Sequence, residues 1–291
     1  MLNLGSMQYS HSHLYAHMKQ VAYIDNCIGT PAIVTWEYKN HILQATPVLI
    51  RYMLEISYLE DVFGRYVIQS LVGGYDKHII EIGGGYGGMS TTMQSIYGRT
   101  ASVKSTNRCN GKYSIVDIEA AGRLQRRYVD TVSDILLSDS YLLNHELFEG
   151  YPIQSVWDTH IQNQAQEQGL ETSSASALHC VDVNIIPSDI TMHVASNLLM
   201  SIFALSELKK YVVDRYIQQY VTHAVCGYIQ LNYGENNLYK DIKSIDQHSN
   251  IYSALEMFRE IYTIYPNAVL LPPPIYYDSG PRIIWKNSEY C

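Results

Sequence analysis

The sequence predicts an α/β fold: a mostly parallel sheet with crossover helices, a late antiparallel strand, and a helical extension ahead of it. Three observations carry this. Short apolar strand patterns alternate with helical ones from residue 78 onward, the first strand runs into a glycine-rich turn and a helix, and the last two strand-like runs lie close together. Parallel neighbours can be joined only by a long return, which the helical stretches supply.

Residues 1–76 read as a helical N-terminal extension. Leu14, Met18, Val21 and Ala22 share one helical face, and a stronger helix sets Val48, Leu49, Tyr52, Met53, Ile56, Leu59 and Phe63 at 3.6-residue spacing. Thr46 supplies its N-cap, Pro47 its first-turn proline and Gly64 its stop. Residues 77–291 form the main domain. The first strand covers 78–82, the turn 83–88, and a helix 89–97. A second strand over 113–118 leads to a helix carrying Leu124, Tyr128, Val132 and Ile135. Strands three and four fit 181–186 and 198–203, and a helix with Leu208, Tyr211, Val212, Ile217 and Val221 follows directly. The fifth strand fits 227–232. A helix over 252–264 stops at Pro266, and the runs 268–271 and 282–285, separated by Pro272, Pro273 and Pro274, suggest an antiparallel edge. Residues 139–179 break the rhythm as an insert, and a loop beyond about 12 to 15 residues is a lid, a binding insert or disordered.

The chain has 291 residues, 47% hydrophobic and 16% charged, enough to bury a sizeable core in one large domain or a core with an accessory piece. With 20 Lys+Arg against 28 Asp+Glu the net charge is −8, which opposes condensation onto a polyanion, so nucleic acid is not an expected partner. Cys27, Cys109, Cys180, Cys226 and Cys291 are odd in number and widely spaced, which argues against a disulfide or zinc framework. No apolar run approaches the roughly 20 residues that cross a bilayer, so the expectation is a cytoplasmic protein without a membrane partner. Of His11, His13 and His17 only the last two share a helical face, with no carboxylate at matching spacing, and no metal site is assigned. The 26 tyrosines supply amphipathic rings suited to half-wet clefts, although ordinary packing accounts for them equally.

The glycine turn satisfies two patterns. Gly83, Gly85 and Gly88 fit the G-x-G-x-x-G of a dinucleotide-binding turn, where free N–H groups at a helix start cradle a ligand. Glu81, Gly83, Gly85 and Gly87 fit the E-x-G-x-G-x-G turn of class I S-adenosylmethionine-dependent methyltransferases, which this stretch resembles, with Gly84 and Tyr86 completing it. Three features favour the second. An acidic residue two before the first glycine suits an ammonium and repels a pyrophosphate. The helical extension and the late antiparallel strand point the same way, while a nicotinamide or flavin Rossmann domain remains the alternative. Asp117, ending the second strand, is the carboxylate either family would use for ribose hydroxyls, although the stretch 99–112 lengthens its distance from the turn. Ile118 and Ser201 join it in the cofactor set. Pro187, Ser188, Asp189 and Ile190 resemble the methyltransferase segment that frames the adenine, and an Asp after a strand is also an ordinary helix cap.

Over roughly residues 45–290 the wording resembles the sugar O-methyltransferase family of class I enzymes. The resemblance rests on Thr46-Pro47 leading through Arg51-Tyr52 to Phe63-Gly64, and on the run from Ile80 to Gly88. It continues with Tyr113-Ser114-Ile115-Val116-Asp117, Asn184-Ile185-Ile186-Pro187, the block ending Ser206-Glu207-Leu208, Gly227-Tyr228-Ile229 with Asn232, and Trp285-Lys286. It implies a Rossmann-like class I methyltransferase sheet and transfer of a methyl group from S-adenosyl-L-methionine to a sugar hydroxyl, nucleotide-linked or glycan-bound. The partner implied is a small-molecule or glycan acceptor, a nucleotide sugar first, with a homodimer allowed. The polar insert and the ending Asp117-Ile118-Glu119, where the family more often has Asp-Leu-Pro, depart from the pattern and bear on the acceptor.

A sulfonium methyl is already activated, so the protein has to align the acceptor oxygen and remove its proton. Glu207, opening a helix after the fourth strand, is the first candidate base, although an acid there also simply suits the helix dipole. His193 is the second. Arg51 and Tyr52 on the extension helix, Tyr233 and Glu235 after the fifth strand, and Tyr277 and Asp278 in the late turn are the candidate acceptor-binding residues. Competing functions are methyl transfer to another small-molecule hydroxyl or amine, a NAD-dependent oxidoreductase, and a scaffold that binds the cofactor without turnover.

Overall fold

A computed structural model describes residues 14, 21–22, 25–26, 31–38, 41–74, 76–97, 111–137, 181–187, 195–232, 251–272 and 280–287. The insert over 139–179 lies outside them, as do His11, His13 and His17.

The extension differs from the all-helical expectation. Val34–Tyr38 (β1) and His41–Ala45 (β2) pair antiparallel, in a stretch whose β-branched and aromatic residues Val34, Thr35, Trp36, Tyr38 and Ile42 favour a strand. Helix α1, Pro47–Phe63, then starts as the sequence predicts: the Thr46 hydroxyl accepts from Leu49 N at 3.0 Å, Pro47 needs no donor, and the Gly64 N–H returns to Glu60 O. A separate helix α2, Arg65–Gly73, follows that glycine.

The main sheet has seven strands. In chain order they are β3 His78–Ile82, β4 Gly111–Asp117, β5 Val181–Pro187, β6 Ser196–Ile202, β7 Ala224–Gln230, β8 Val269–Leu271 and β9 Arg282–Lys286. In space they run β5-β4-β3-β6-β7-β9-β8, with the first five parallel and β9 antiparallel to both neighbours. This is the expected Rossmann-like sheet with its late antiparallel strand. The chain leaves β3 in one direction and returns to its other side at β6, so a topological switch point lies between them.

Side chains alternate across the sheet. Ile79, Tyr113, Ile115, Leu198, Met200, Tyr228 and Ile284 pack beneath α1, α2 and helix α3, Gly88–Tyr97. Ile80, Ile82, Val116, Leu199, Ile229, Ile283 and Trp285 pack on the opposite face against α6, Lys210–Gln219, and α7, Ala254–Ile264. Helix α4, Glu119–Leu137, follows β4. Its buried side runs through Gln125, Val129 and Val132, so Leu124, expected inside, is 57% exposed. The helix expected directly after the fourth strand is broken into a single turn, α5 (Ala204–Glu207), and α6, with Leu208 and Lys209 extended between them. That break rotates the face, burying Val213, Tyr216 and Ile217 and leaving Tyr211 outside. Cys226, buried on β7, is disulfide-bonded, whereas the spacing argued only against a framework of disulfides.

Gly227 on β7 is where two layers meet most closely. A Cβ there would enter the ring of Trp285, which stacks on Tyr265 at 5.0 Å and donates to Ala224 O. The indole therefore has nowhere to retreat. Gly227→Ala is expected to lower stability by about 1–3 kcal/mol, seen as a lower urea midpoint with an unchanged slope.

Candidate functional site

The glycine turn leaves β3 at the switch point. Gly83, Gly85 and Gly87 have φ of 76°, 57° and 94°, values that glycine adopts without strain. Gly83 N donates to Val116 O of β4 at 2.9 Å, and a Cβ on Gly83 would collide with that of Ala204, so the turn is wedged between β4 and the loop after β6. Gly87 N donates to Gly84 O at 2.8 Å and delivers the chain into α3. Gly85 stays exposed at the tip, with the Tyr52 hydroxyl 3.5 Å from where its Cβ would be.

Beneath Gly84 lies Glu81, 2% exposed, accepting from the Tyr113 hydroxyl at 3.0 Å. Burial pushes its carboxyl up to about 7, against the opposing hydrogen bond and with help from the Asp117 charge. Tyr52, Tyr86 and Tyr128 surround the turn, Tyr86 edge-on to Tyr128 at 4.6 Å. Burial first, then neighbouring phenols and carboxylates, raise all their hydroxyls above the usual phenol range, so they act as neutral hydrogen-bonding groups.

Two residues that the sequence did not single out organise this neighbourhood. Asp25 is buried and accepts from Thr46 Oγ1 at 2.7 Å, Tyr128 Oη at 2.8 Å and Tyr86 Oη at 3.3 Å, tying the extension to the turn and to α4. Gln125 of α4 donates through Nε2 to Gly85 O at 3.0 Å and to Asp117 Oδ2 at 2.7 Å, bridging the turn to the end of β4. Asp117 also accepts from Ile118 N at 2.8 Å, and Ile118 exposes 59% of its surface beside it. Neither Asp25 nor Gln125 has a spacing signal: Asp25 meets Thr46 and Tyr128 at separations of 21 and 103, and Gln125 reaches back 40 positions to Gly85.

The loops after β6 and β7 are knitted together at the carboxyl end of the sheet. Phe203 sits at φ 70°, a conformation costly for a bulky residue, with its N–H on Gln230 O at 2.8 Å. Ser206 donates to Phe203 O and accepts from Asn232 N, while the Asn232 amide donates to the exposed Glu207 carboxylate at 2.9 Å. The Arg51 guanidinium lies 5.2 Å above the Phe203 ring and 5.8 Å from the Tyr52 ring. Ser201 is fully buried and its hydroxyl accepts from Leu205 N at 3.3 Å, supporting the first turn of α5.

The fold thus brings Glu81, Gly83, Gly84, Gly85, Tyr86, Gly87, Asp117, Ile118, Arg51 and Tyr52 to one end of the sheet, with Glu207 on the loop after β6. His193, Ser188, Asp189, Ile190, Tyr233, Glu235, Tyr277 and Asp278 lie outside the described residues.

No family model matches the chain, and no curated protein matches it. Among solved structures it is similar to the methyltransferase domain of bacterial CtHen1, at 9% identity over 81% of this chain and 96% of that one, with a TM-score of 0.39. It is similar to the N-terminal domain of EvdMO1, solved in the presence of SAH and D-fucose, at 6% identity over 93% and 94%, TM-score 0.42. An O-methyltransferase family protein from Burkholderia thailandensis aligns at 8% identity over 97% and 71%, TM-score 0.40. At scores this low the fold rests on the strand order itself.

Glu81 generates a pH prediction. Its carboxyl titrates near 4.5 when unfolded and near 7 when folded, so between those values the folded state holds the extra proton and stability falls as pH rises. The slope is at most about 1.4 kcal/mol per pH unit. Glu81→Gln is expected to remove it in urea titrations across that window, and identical slopes for the two proteins would contradict the assignment.

Proposed function

We propose that the protein is an S-adenosyl-L-methionine-dependent O-methyltransferase that methylates a sugar hydroxyl, nucleotide-linked or glycan-bound. The observation that carries the reading is the turn 83–88 at the switch point, with the Asp117 carboxylate on the adjacent strand end and the exposed Gly85 tip between them.

The residues fit an adenosine-type ligand with an amino-acid tail. The positive φ at Gly85 lets a ligand approach the backbone without meeting a side chain. Asp117 holds Ile118 N and Gln125 Nε2 on separate oxygens, and each oxygen keeps a lone pair for a ribose hydroxyl. Ile118 offers an exposed apolar surface for a flat ring. Glu81 beneath the turn adds negative charge when ionised, which disfavours a pyrophosphate and supports this cofactor over NAD.

The cofactor supplies an activated methyl group. What remains for the chain is to orient an acceptor oxygen and take its proton. Glu207 is the base we propose: it is exposed on the loop after β6, and Asn232 holds one of its oxygens and so orients the other. The sugar rests on the resemblance of the residue 80–88 and 113–117 wording.

The test is ligand-dependent stability. S-adenosylhomocysteine at a hundredfold excess over Kd is expected to stabilise the wild type by about 2.7 kcal/mol, and NAD not at all. Asp117→Ala and Gly85→Val should abolish the effect, the second by forcing a β-branched residue into φ 57°. Stabilisation by NAD alone would sink the reading.

A further inference from the structure

Gln125 is fully buried on α4, while Arg126 and Arg127 beside it are exposed. A polar side chain is kept in the interior at little cost only where it is hydrogen-bonded. It stands where α4 closes onto the glycine turn: a Cβ on Gly87 would lie 3.6 Å from Gln125 O and 3.2 Å from Val129 Cγ2, so the bare glycine sets how near the helix comes. From there Nε2 reaches Gly85 O at 3.0 Å and Asp117 Oδ2 at 2.7 Å. Both partners are acceptors, so the chemistry fixes which way the amide faces. Turned over, it would set Oε1 against a carbonyl and a carboxylate. With two hydrogens for two acceptors, Nε2 has none left for a ligand, and Gln125 can act on one only through Gly85 and Asp117.

What the bridge fixes is the plane of the Asp117 carboxylate. Ile118 N holds Oδ1 at 2.8 Å and Gln125 Nε2 holds Oδ2. A carboxylate held on one oxygen still swings about that bond, whereas one held on both keeps its remaining lone pairs in set directions. Asp117 is itself only partly buried, at the end of β4 beside the exposed Ile118, so those lone pairs are open to a ligand. Two acceptor oxygens side by side match two neighbouring hydroxyls that donate together. The bond from Ile118 N, one residue along the chain, does not set that plane by itself; the second comes from eight positions away, once α4 has folded back on the turn.

We propose that Gln125 is a positioning residue: it presets the Asp117 carboxylate for a vicinal diol and so sets the preference of this site for a ribonucleoside over one without the ribose hydroxyls. That the diol belongs to the cofactor rests on the methyl-transfer reading above; the preset plane rests on the two hydrogen bonds to Asp117.

The experiment compares three ligands of the full chain: S-adenosylhomocysteine by calorimetry, and adenosine and 2′,3′-dideoxyadenosine by ligand-observed NMR titration. The wild type is expected to bind S-adenosylhomocysteine and to prefer adenosine over the dideoxynucleoside. Gln125→Met keeps the length of the side chain and removes both donors. It should reduce that preference about three- to tenfold, the cost of ordering a freed side chain on binding, and leave the affinity for the dideoxynucleoside unchanged. Gln125→Glu keeps the shape, loses the amide hydrogens and should do the same, which covers the case in which the first variant does not fold. Val129→Ala loosens the same face of α4, so it should lower stability and leave the preference alone, a split that a merely structural role of Gln125 would not give. The proposal is overturned if the wild type binds S-adenosylhomocysteine without preferring adenosine, if both Gln125 variants keep the full preference, or if Val129→Ala reduces it equally. A wild type that prefers adenosine but does not bind S-adenosylhomocysteine overturns the methyl-transfer reading instead, and leaves Gln125 its role in a diol site.

Discussion

Helix α1 is buried on nearly every side while carrying acidic residues, and the rest of the molecule is arranged around their desolvation. Glu55 is fully buried and Glu60 is 5% exposed. Charges in that position are retained only if they are paired or hydrogen-bonded, and losing a partner from a buried pair costs about 3–5 kcal/mol. Tyr228 of β7 serves Glu55, with the Arg282 charge opposing the upward pull of burial on its carboxyl. Tyr97 of α3 serves Glu60 at 2.7 Å. A slide of α1 by one turn would strip both, so the helix is locked in register against the sheet and against α3.

That register places Tyr52 over the glycine turn and Arg51 over Phe203. The turn itself is held from three directions: by the Gly83 hydrogen bond to β4, by Gln125 from α4, and by Tyr86 through Asp25. Asp25 gathers hydroxyls from Thr46, Tyr86 and Tyr128, so the N-cap of α1, the turn and α4 share one carboxylate. A loop held in this way has little conformational freedom left to lose. The phenols around it stay protonated because burial and nearby negative charge both oppose their ionisation.

The direction of β9 has a chemical consequence. Because the strand is antiparallel to β7, its first residue, Arg282, stands beside the last residue of β7, Gln230, at the carboxyl edge. A parallel strand in that place would present its first residue at the opposite edge. The reversal therefore supplies a guanidinium, facing Glu55, to the end of the sheet where the glycine turn, Asp117 and Glu207 already lie.

Local physics made much of this legible in the chain. The cap, proline and stop of α1, the strand-turn-helix at 78–97, and the short apolar strands that alternate with helices are each written within a few residues, since propensity and periodicity act over one or two turns. Where tertiary packing chose among local options the chain departs from its local pattern: residues 34–45 form a hairpin, and Leu124 and Tyr211 turn outward. Asp25, Gln125 and the Glu55–Tyr228 pair have no local signature. Glu55 and Tyr228 are separated by 173 positions, and Asp25 and Tyr128 by 103. The sequence by itself determined the elements and the glycine turn, because those depend on neighbours along the chain. Only the tertiary structure decided which polar groups meet, because burial removes water as the default partner and leaves long-range geometry to supply another.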